Sequence, residues 1–108
     1  DEELILLIAN EGFAAKNPTV LRAFLSDLVA ATKYYLANER QAKQALLDAK
    51  LVRIPAEIFL SMPDNARAPD CRIDVEALRH MRDDLLKSGF ATKSIDPASF
   101  VDLSFLPK

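Results

Sequence analysis

Glycine is nearly absent from this sequence. Gly12 and Gly89 are the only two in 108 residues, so no glycine-rich loop is present whose backbone amides could cradle a phosphate. Cysteine occurs once, at Cys71, which excludes an internal disulfide but leaves the redox compartment open, because exported proteins also do without disulfides. Histidine occurs once, at His80. Charge of one sign is lacking too. The formal net charge is -2 with acids and bases interspersed, and no Lys/Arg cluster tracks a phosphate backbone, which argues against nucleic acid as a partner. The longest apolar run, Leu4 to Ala9, is far too short to span a bilayer. The opening Asp1-Glu2-Glu3 is neither a signal peptide nor an initiator methionine and reads as the start of a mature or excised piece.

What is present is a chain half apolar and 28% charged, the composition of a globular protein whose length suits one domain or part of a larger one. The run Leu4-Ile5-Leu6-Leu7-Ile8-Ala9 has no alternation. Periodicity does not separate a strand buried on both faces from a piece of buried helix. Its short length and the polar break Asn10-Glu11-Gly12 favour a strand over 4–9. Asn17 then Pro18 form a cap followed by the residue that tolerates the first helical position. Leu21, Phe24, Leu25, Leu28, Thr32, Tyr35 and Leu36 recur at three- and four-residue intervals, predicting an amphipathic helix over 18–37. Asn38 with Gln41 fits a capping box opening a helix over 39–49, with Ala42, Ala45, Leu46 and Ala49 inward and Glu39 set to pair with Lys43.

A short helix over 55–62 presents Ile58, Phe59 and Met62, and residues 63–73, with Pro63, Asp64, Asn65 and Pro69, read as a long loop. Asp74 caps a helix over 75–88 with Val75, Leu78, Met81 and Leu85 inward and an Asp83–Lys87 pair. Gly89 closes it in the left-handed conformation, with Phe90 folding back on Leu85. Asp96-Pro97 repeats the cap-then-proline signal and opens a helical turn over 97–102, followed by an apolar tail suited to docking on a core. The fold class is mainly α, four to five helices with one short N-terminal strand.

Candidate chemistry is sparse. His80 lies one turn from Glu76 and near Asp83 and Asp84, but metal binding or acid–base catalysis needs more converging groups, so it reads as a boundary histidine. Cys71 beside Arg72 has an electropositive neighbour that could make it reactive but no nearby histidine, so it reads as structurally neutral. Asp83-Asp84 and Asp70 with Asp74 read as a solvated helix face and a helix cap, not as carboxylates opposed across a pocket. Helical spacing makes Tyr35 core and Tyr34 half-exposed, with an aromatic ligand platform as the alternative. Asn10-Glu11 follows the predicted strand directly, and strand ends are where ligands gather in α/β folds; a plain polar turn is the competing reading. No catalytic or metal-binding residue and no cofactor is expected, and no residue is assigned to a ligand.

Three stretches resemble the nitrate/sulfonate/taurine type of solute-binding protein from ABC importers, a family that includes the thiamine-pyrimidine synthesis proteins. Glu11 to Pro18 followed by Val20-Leu21-Arg22-Ala23-Phe24-Leu25 resembles its f-a-x-x-n-P-x-x-v-x-a-f-l stretch. Asn38, Glu39 and Ala42 resemble the opening of its following helix, with Glu39 where the family often has proline. Asp74-Val75, Leu78, Met81, Leu85, Lys87, Gly89-Phe90 and the stretch from Ile95-Asp96 to Asp102 resemble its C-terminal end. The resemblance spans nearly the whole chain except residues 63–73. It implies the C-terminal segment of a two-lobed α/β periplasmic-binding-protein fold, with a small-molecule solute between the lobes, a permease–ATPase complex as partner, and a periplasmic or extracellular membrane-associated location. A self-contained helical interaction module is the alternative, and a small helical enzyme lacks a converging site. As an isolated piece the chain is expected to form homo-oligomers, because the run at 4–9 wants cover that the other residues do not supply.

Overall fold

The computed structural model describes residues 5–108, and its regular structure among them is helical: α1 (Glu11–Lys16), α2 (Pro18–Ala37), α3 (Glu39–Asp48), α4 (Ala56–Ser61), α5 (Val75–Lys87) and a single 3-10 turn, Pro97–Ser99. Helix α2 packs against α1 and α3, α3 against α4, and α5 against the 3-10 turn.

The mainly α expectation holds; the N-terminal strand does not. Residues 5–9 form no strand and no helix, and Leu4, the first residue of that expectation, lies outside the described residues. A strand exists only where a neighbouring backbone accepts its ladder hydrogen bonds, and among the described residues no second strand offers an edge. The polar break behind the run is itself a helix start. Asn10 accepts a hydrogen bond from the Phe13 amide at 3.1 Å and so caps α1, a helix that the sequence pattern did not reveal.

Two one-residue joints carry the chain from α1 to α2 and from α2 to α3, and they share one conformation: φ -130° and ψ 48° at Asn17, φ -135° and ψ 39° at Asn38. Both asparagines stand at N-cap positions, yet neither side chain caps the helix that follows. Each carboxamide instead donates backwards, Asn17 to the Phe13 carbonyl at 3.2 Å and Asn38 to the Tyr34 carbonyl at 2.9 Å. The asparagine backbone carbonyls accept from the next helix, from Leu21 and Ala42 respectively. A single residue thus satisfies orphan carbonyls on one side and orphan amides on the other. The capping box expected at Asn38 and Gln41 is not formed, because the Asn38 side chain is spent on α2.

The remaining caps follow their residue types. Asp74 accepts from Ala77 at 3.0 Å and Asp96 from Ala98 at 3.2 Å. The turn after Asp96 is shorter than the expected span to 102. Phe100 and Val101 both donate to the Pro97 carbonyl, and the Asp102 carboxylate takes the Ser104 amide at 2.8 Å to begin a separate bend. Gly89 has φ +78°, as expected of a helix stop. Phe90, however, is 86% exposed and does not fold onto Leu85; it is the Ala91 amide that returns to the Leu85 carbonyl, at 3.1 Å. The expected Asp83–Lys87 pair is replaced by Asp83 with Arg82 and Asp84 with Lys87.

The periodicity of α2 correctly places five of the seven residues expected on its inner face. Leu21, Leu25, Leu28, Thr32 and Tyr35 are half-buried around the buried Val29, while Phe24 and Leu36 point outward. In α3 the buried position is not one of the expected alanines but Lys43. Its ammonium donates to Glu39 at 2.6 Å and to the Met62 carbonyl at 2.7 Å, and it lies 5.9 Å from the Phe59 ring centroid. A buried ammonium is tolerated because each contact replaces lost water.

Little else is buried: Val29, Ala77 and Pro97 complete the list among the described residues. The radius of gyration is 17.1 Å, against about 13 Å for a compact chain of this length. The accessible surface is 8570 Å², against roughly 6,000 Å² for a folded monomer of this mass. Among the described residues sixteen large apolar side chains, Ile5, Ile8 and Leu51 among them, stand exposed.

The two helix stops give opposite predictions. Lys50 ends α3 with φ +56°, its amide on the Leu47 carbonyl and the Leu51 amide on the Leu46 carbonyl, the hydrogen-bond pattern that glycine usually serves. Lys50→Gly is expected to raise stability by about 0.5–1 kcal/mol, and Gly89→Ala to lower it by about 1 kcal/mol through backbone strain alone, since a Cβ at Gly89 meets nothing within 4 Å. Chemical denaturation midpoints of the two variants, moving in opposite directions, check both assignments.

Candidate functional site

Asn10-Glu11, the stretch singled out for ligand contact, borders an apolar groove of about 470 Å³ between the N-terminal segment, α1 and α2. Leu7, Ile8, Phe13, Val20, Leu21 and Phe24 line it with Ala9 and Asn10. Among the described residues Asn10 is its single hydrogen-bonding side chain, and that side-chain oxygen already caps α1. The groove can hold apolar groups and offers little to orient a charged or strongly polar solute.

A second, shallower groove of about 270 Å³ runs between α5 and the segment that follows it, with Leu78, Met81, Leu85, Ile95 and Phe100 as its apolar lining and Arg82 and Lys93 at its edge. The Arg82 guanidinium is engaged by Asp83 at 2.8 Å.

His80 is exposed on α5, and the carboxylates near it in sequence have other partners. Glu76 pairs with Arg79, which also reaches Asp96 at 3.0 Å; Asp83 pairs with Arg82, and Asp84 lies 3.9 Å from Lys87. The Arg79 hydrogen bond and the Ala98 amide hold Asp96 below the usual aspartate range, while Asp96 and Glu76 push Arg79 up. Among the described residues no three His, Cys, Asp or Glu side chains converge as metal ligands, and no helix is long and apolar enough to cross a membrane.

Cys71 is half-buried with φ +57°, its amide on the Ala68 carbonyl and its thiol donating to the Thr32 hydroxyl at 3.2 Å. That contact ties the loop to α2. Tyr34 is exposed, whereas Tyr35 is half-buried and belongs to a cluster with the same loop. The Arg67 guanidinium lies 4.9 Å from the Tyr35 ring centroid and 3.1 Å from both Asp64 oxygens. Sequence spacing suggested Tyr35 as core but carried no signal for this cluster, because Asp64 and Arg67 are irregularly placed loop residues.

Partial burial strips water from the Tyr35 phenolate, and the neighbouring Asp64 carboxylate disfavours it further, so the phenol is pushed up to about 12. The same Tyr35 hydroxyl, with Arg67 and the Asn65 amide, holds Asp64 below its ordinary value. These groups engage one another, and the cluster is best described as a clasp on the loop.

No protein-family model, no curated protein and no solved structure matches the chain.

The clasp has a defined pH response. A raised folded value means that Tyr35 contributes stability in full below 10.0 and loses it as pH rises through about 12. Asp64, lowered on folding, contributes above the ordinary aspartate range and loses its share as pH falls through its depressed value. Ultraviolet titration of tyrosinate is expected to show a component near 12. Tyr35→Phe should remove that component, and Asp64→Asn should move it part of the way back down.

Proposed function

We propose that this chain is the C-terminal segment of the solute-binding component of an ABC importer, of the type that carries small anionic or nitrogen- and sulfur-containing compounds, and that it contributes binding and delivery with no catalysis. Its location would be periplasmic or extracellular at the membrane, and its partners the solute and a permease–ATPase complex. The reading rests on the order and spacing of three stretches: the one from Glu11 to Leu25, the one around Asn38, and the one from Asp74 to Asp102. The observation that carries it physically is the uncovered apolar surface, with Phe24 and Leu36 of α2 and Ile5, Leu7 and Ile8 before α1 exposed. Apolar surface on this scale marks a face that packs against more protein.

In that arrangement the ligand cleft draws most of its polar groups from elsewhere in the protein. The groove beside Asn10, with one committed carboxamide, fits that division. The second reading is a helical module that docks a partner protein. What favours it is that the described residues form helices and no strand, so the fold needs no sheet from another lobe.

Calorimetry separates the readings. The 108-residue chain is expected to bind none of taurine, an alkanesulfonate, nitrate or an aminopyrimidine tightly. The product of the full reading frame that contains it is expected to bind one of them at unit stoichiometry. Micromolar binding by the 108-residue chain alone, or no binding of the set by the full product, would overturn the proposal.

A further inference from the structure

The backbone of residues 5–9 makes no hydrogen bond among the described residues, and Ile5, Leu7 and Ile8 are 85%, 55% and 89% exposed. Directly beside them lies the groove formed with Phe13, Val20 and Phe24. An unpaired backbone and an uncovered apolar face therefore occupy the same place: the apolar face is costly to leave in water, and covering it removes the water that the backbone groups bond to, so they then need partners.

We propose that this surface is a homodimer interface, in which the 5–9 segments of two copies pair antiparallel about a two-fold axis and the Phe13, Val20 and Phe24 faces close over them. Three observations select a second copy as the occupant. Among the described residues no charged side chain lines the groove, so the lining gives no means of choosing an acidic or basic partner and is complementary to itself. The backbone needs donors and acceptors in register, which an identical segment run antiparallel supplies from its own backbone. The area also suffices: Ile5, Leu7, Ile8, Phe13, Val20 and Phe24 are each about half exposed or more and leave roughly 100–150 Å² apiece, about 700 Å² in all, close to the ~800 Å² per partner of a stable interface.

Pairing also answers the difficulty of residues 5–9 themselves. Apolar on successive positions, they put side chains on both faces of any strand they form. One face would lie on the groove of its own chain and the other would be covered by the partner. The inference concerns the 108-residue chain by itself; under the solute-binding reading the remainder of the protein would compete with a second copy for the same face.

Sedimentation equilibrium of the 108-residue chain over a wide concentration range tests it. The weight-average mass should rise from that of one 12.0 kDa chain toward twice that value. Leu7→Asp and Phe24→Asp should each weaken association by about tenfold or more, the loss expected of a central apolar contact. Phe90→Asp, on a still more exposed phenylalanine away from the groove, should leave association unchanged. Leu7 lies outside every helix, so Leu7→Asp decides alone if Phe24→Asp loses its helical circular dichroism. Hydrogen exchange should show the amides of residues 6–9 protected at high concentration and released on dilution. A chain that stays monomeric throughout, a dimer that survives Leu7→Asp, or one that Phe90→Asp dissolves would each overturn the proposal.

Discussion

Helix α2 is the spine to which distant parts of the chain attach, and most of these attachments use a polar or cationic group rather than a shared apolar core. Arg22 near its start donates to the Ser104 carbonyl at 2.6 Å and lies 5.0 Å from the Phe105 ring centroid, holding the C-terminal tail. Thr32 takes the Cys71 thiol and Tyr35 takes Arg67, holding the loop before α5. At its two ends Asn17 and Asn38 turn the chain into α1 and α3. Contacts of this kind at partly exposed positions contribute at most about 1 kcal/mol each. The arrangement of the segments is thus specified by geometry more than by burial, and the stability of this chain as a unit rests on a very small buried set.

Lys43 illustrates how such a structure makes use of what it has. Its position faces α4, where an apolar residue would ordinarily sit. The alkyl stem covers the contact while the ammonium finds Glu39, the Met62 carbonyl and the edge of the Phe59 environment. Truncating it would leave the Met62 carbonyl and Glu39 without their donor, which is why a lysine at an inner position is held in place rather than merely tolerated. The α3–α4 corner is accordingly more defined than its alanines alone would make it.

The same economy bears on function. Asn10 and Arg82, which line the grooves, are engaged by the α1 cap and by Asp83, and Arg79 on α5 is held by Glu76 and Asp96. What the molecule offers outward is apolar surface. Both proposed roles, docking on the remainder of a transport protein or on another copy, draw on that surface.

The sequence by itself determined the helices that announce their own ends. Pro18 after Asn17, Asp74 before Val75, Asp96 before Pro97 and Gly89 after the last helix each act through hydrogen bonds or φ preferences within a few residues, so nothing distant could overrule them. The inner face of α2 was legible for the same reason, since helical geometry alone fixes which residues share a side. Tertiary structure decided the rest. Whether residues 5–9 become a strand depends on a partner edge that the local sequence cannot encode, and among the described residues none is present. Whether Asn38 caps forward or backward depends on the joint angle between α2 and α3. Lys43 is buried because Met62 and Phe59 approach from another helix, and Tyr35 is perturbed because a loop some thirty residues away brings Asp64 and Arg67 onto it. Local preferences settle where a helix begins and ends; which of its polar groups are satisfied, and by what, waits on the segments that fold against it.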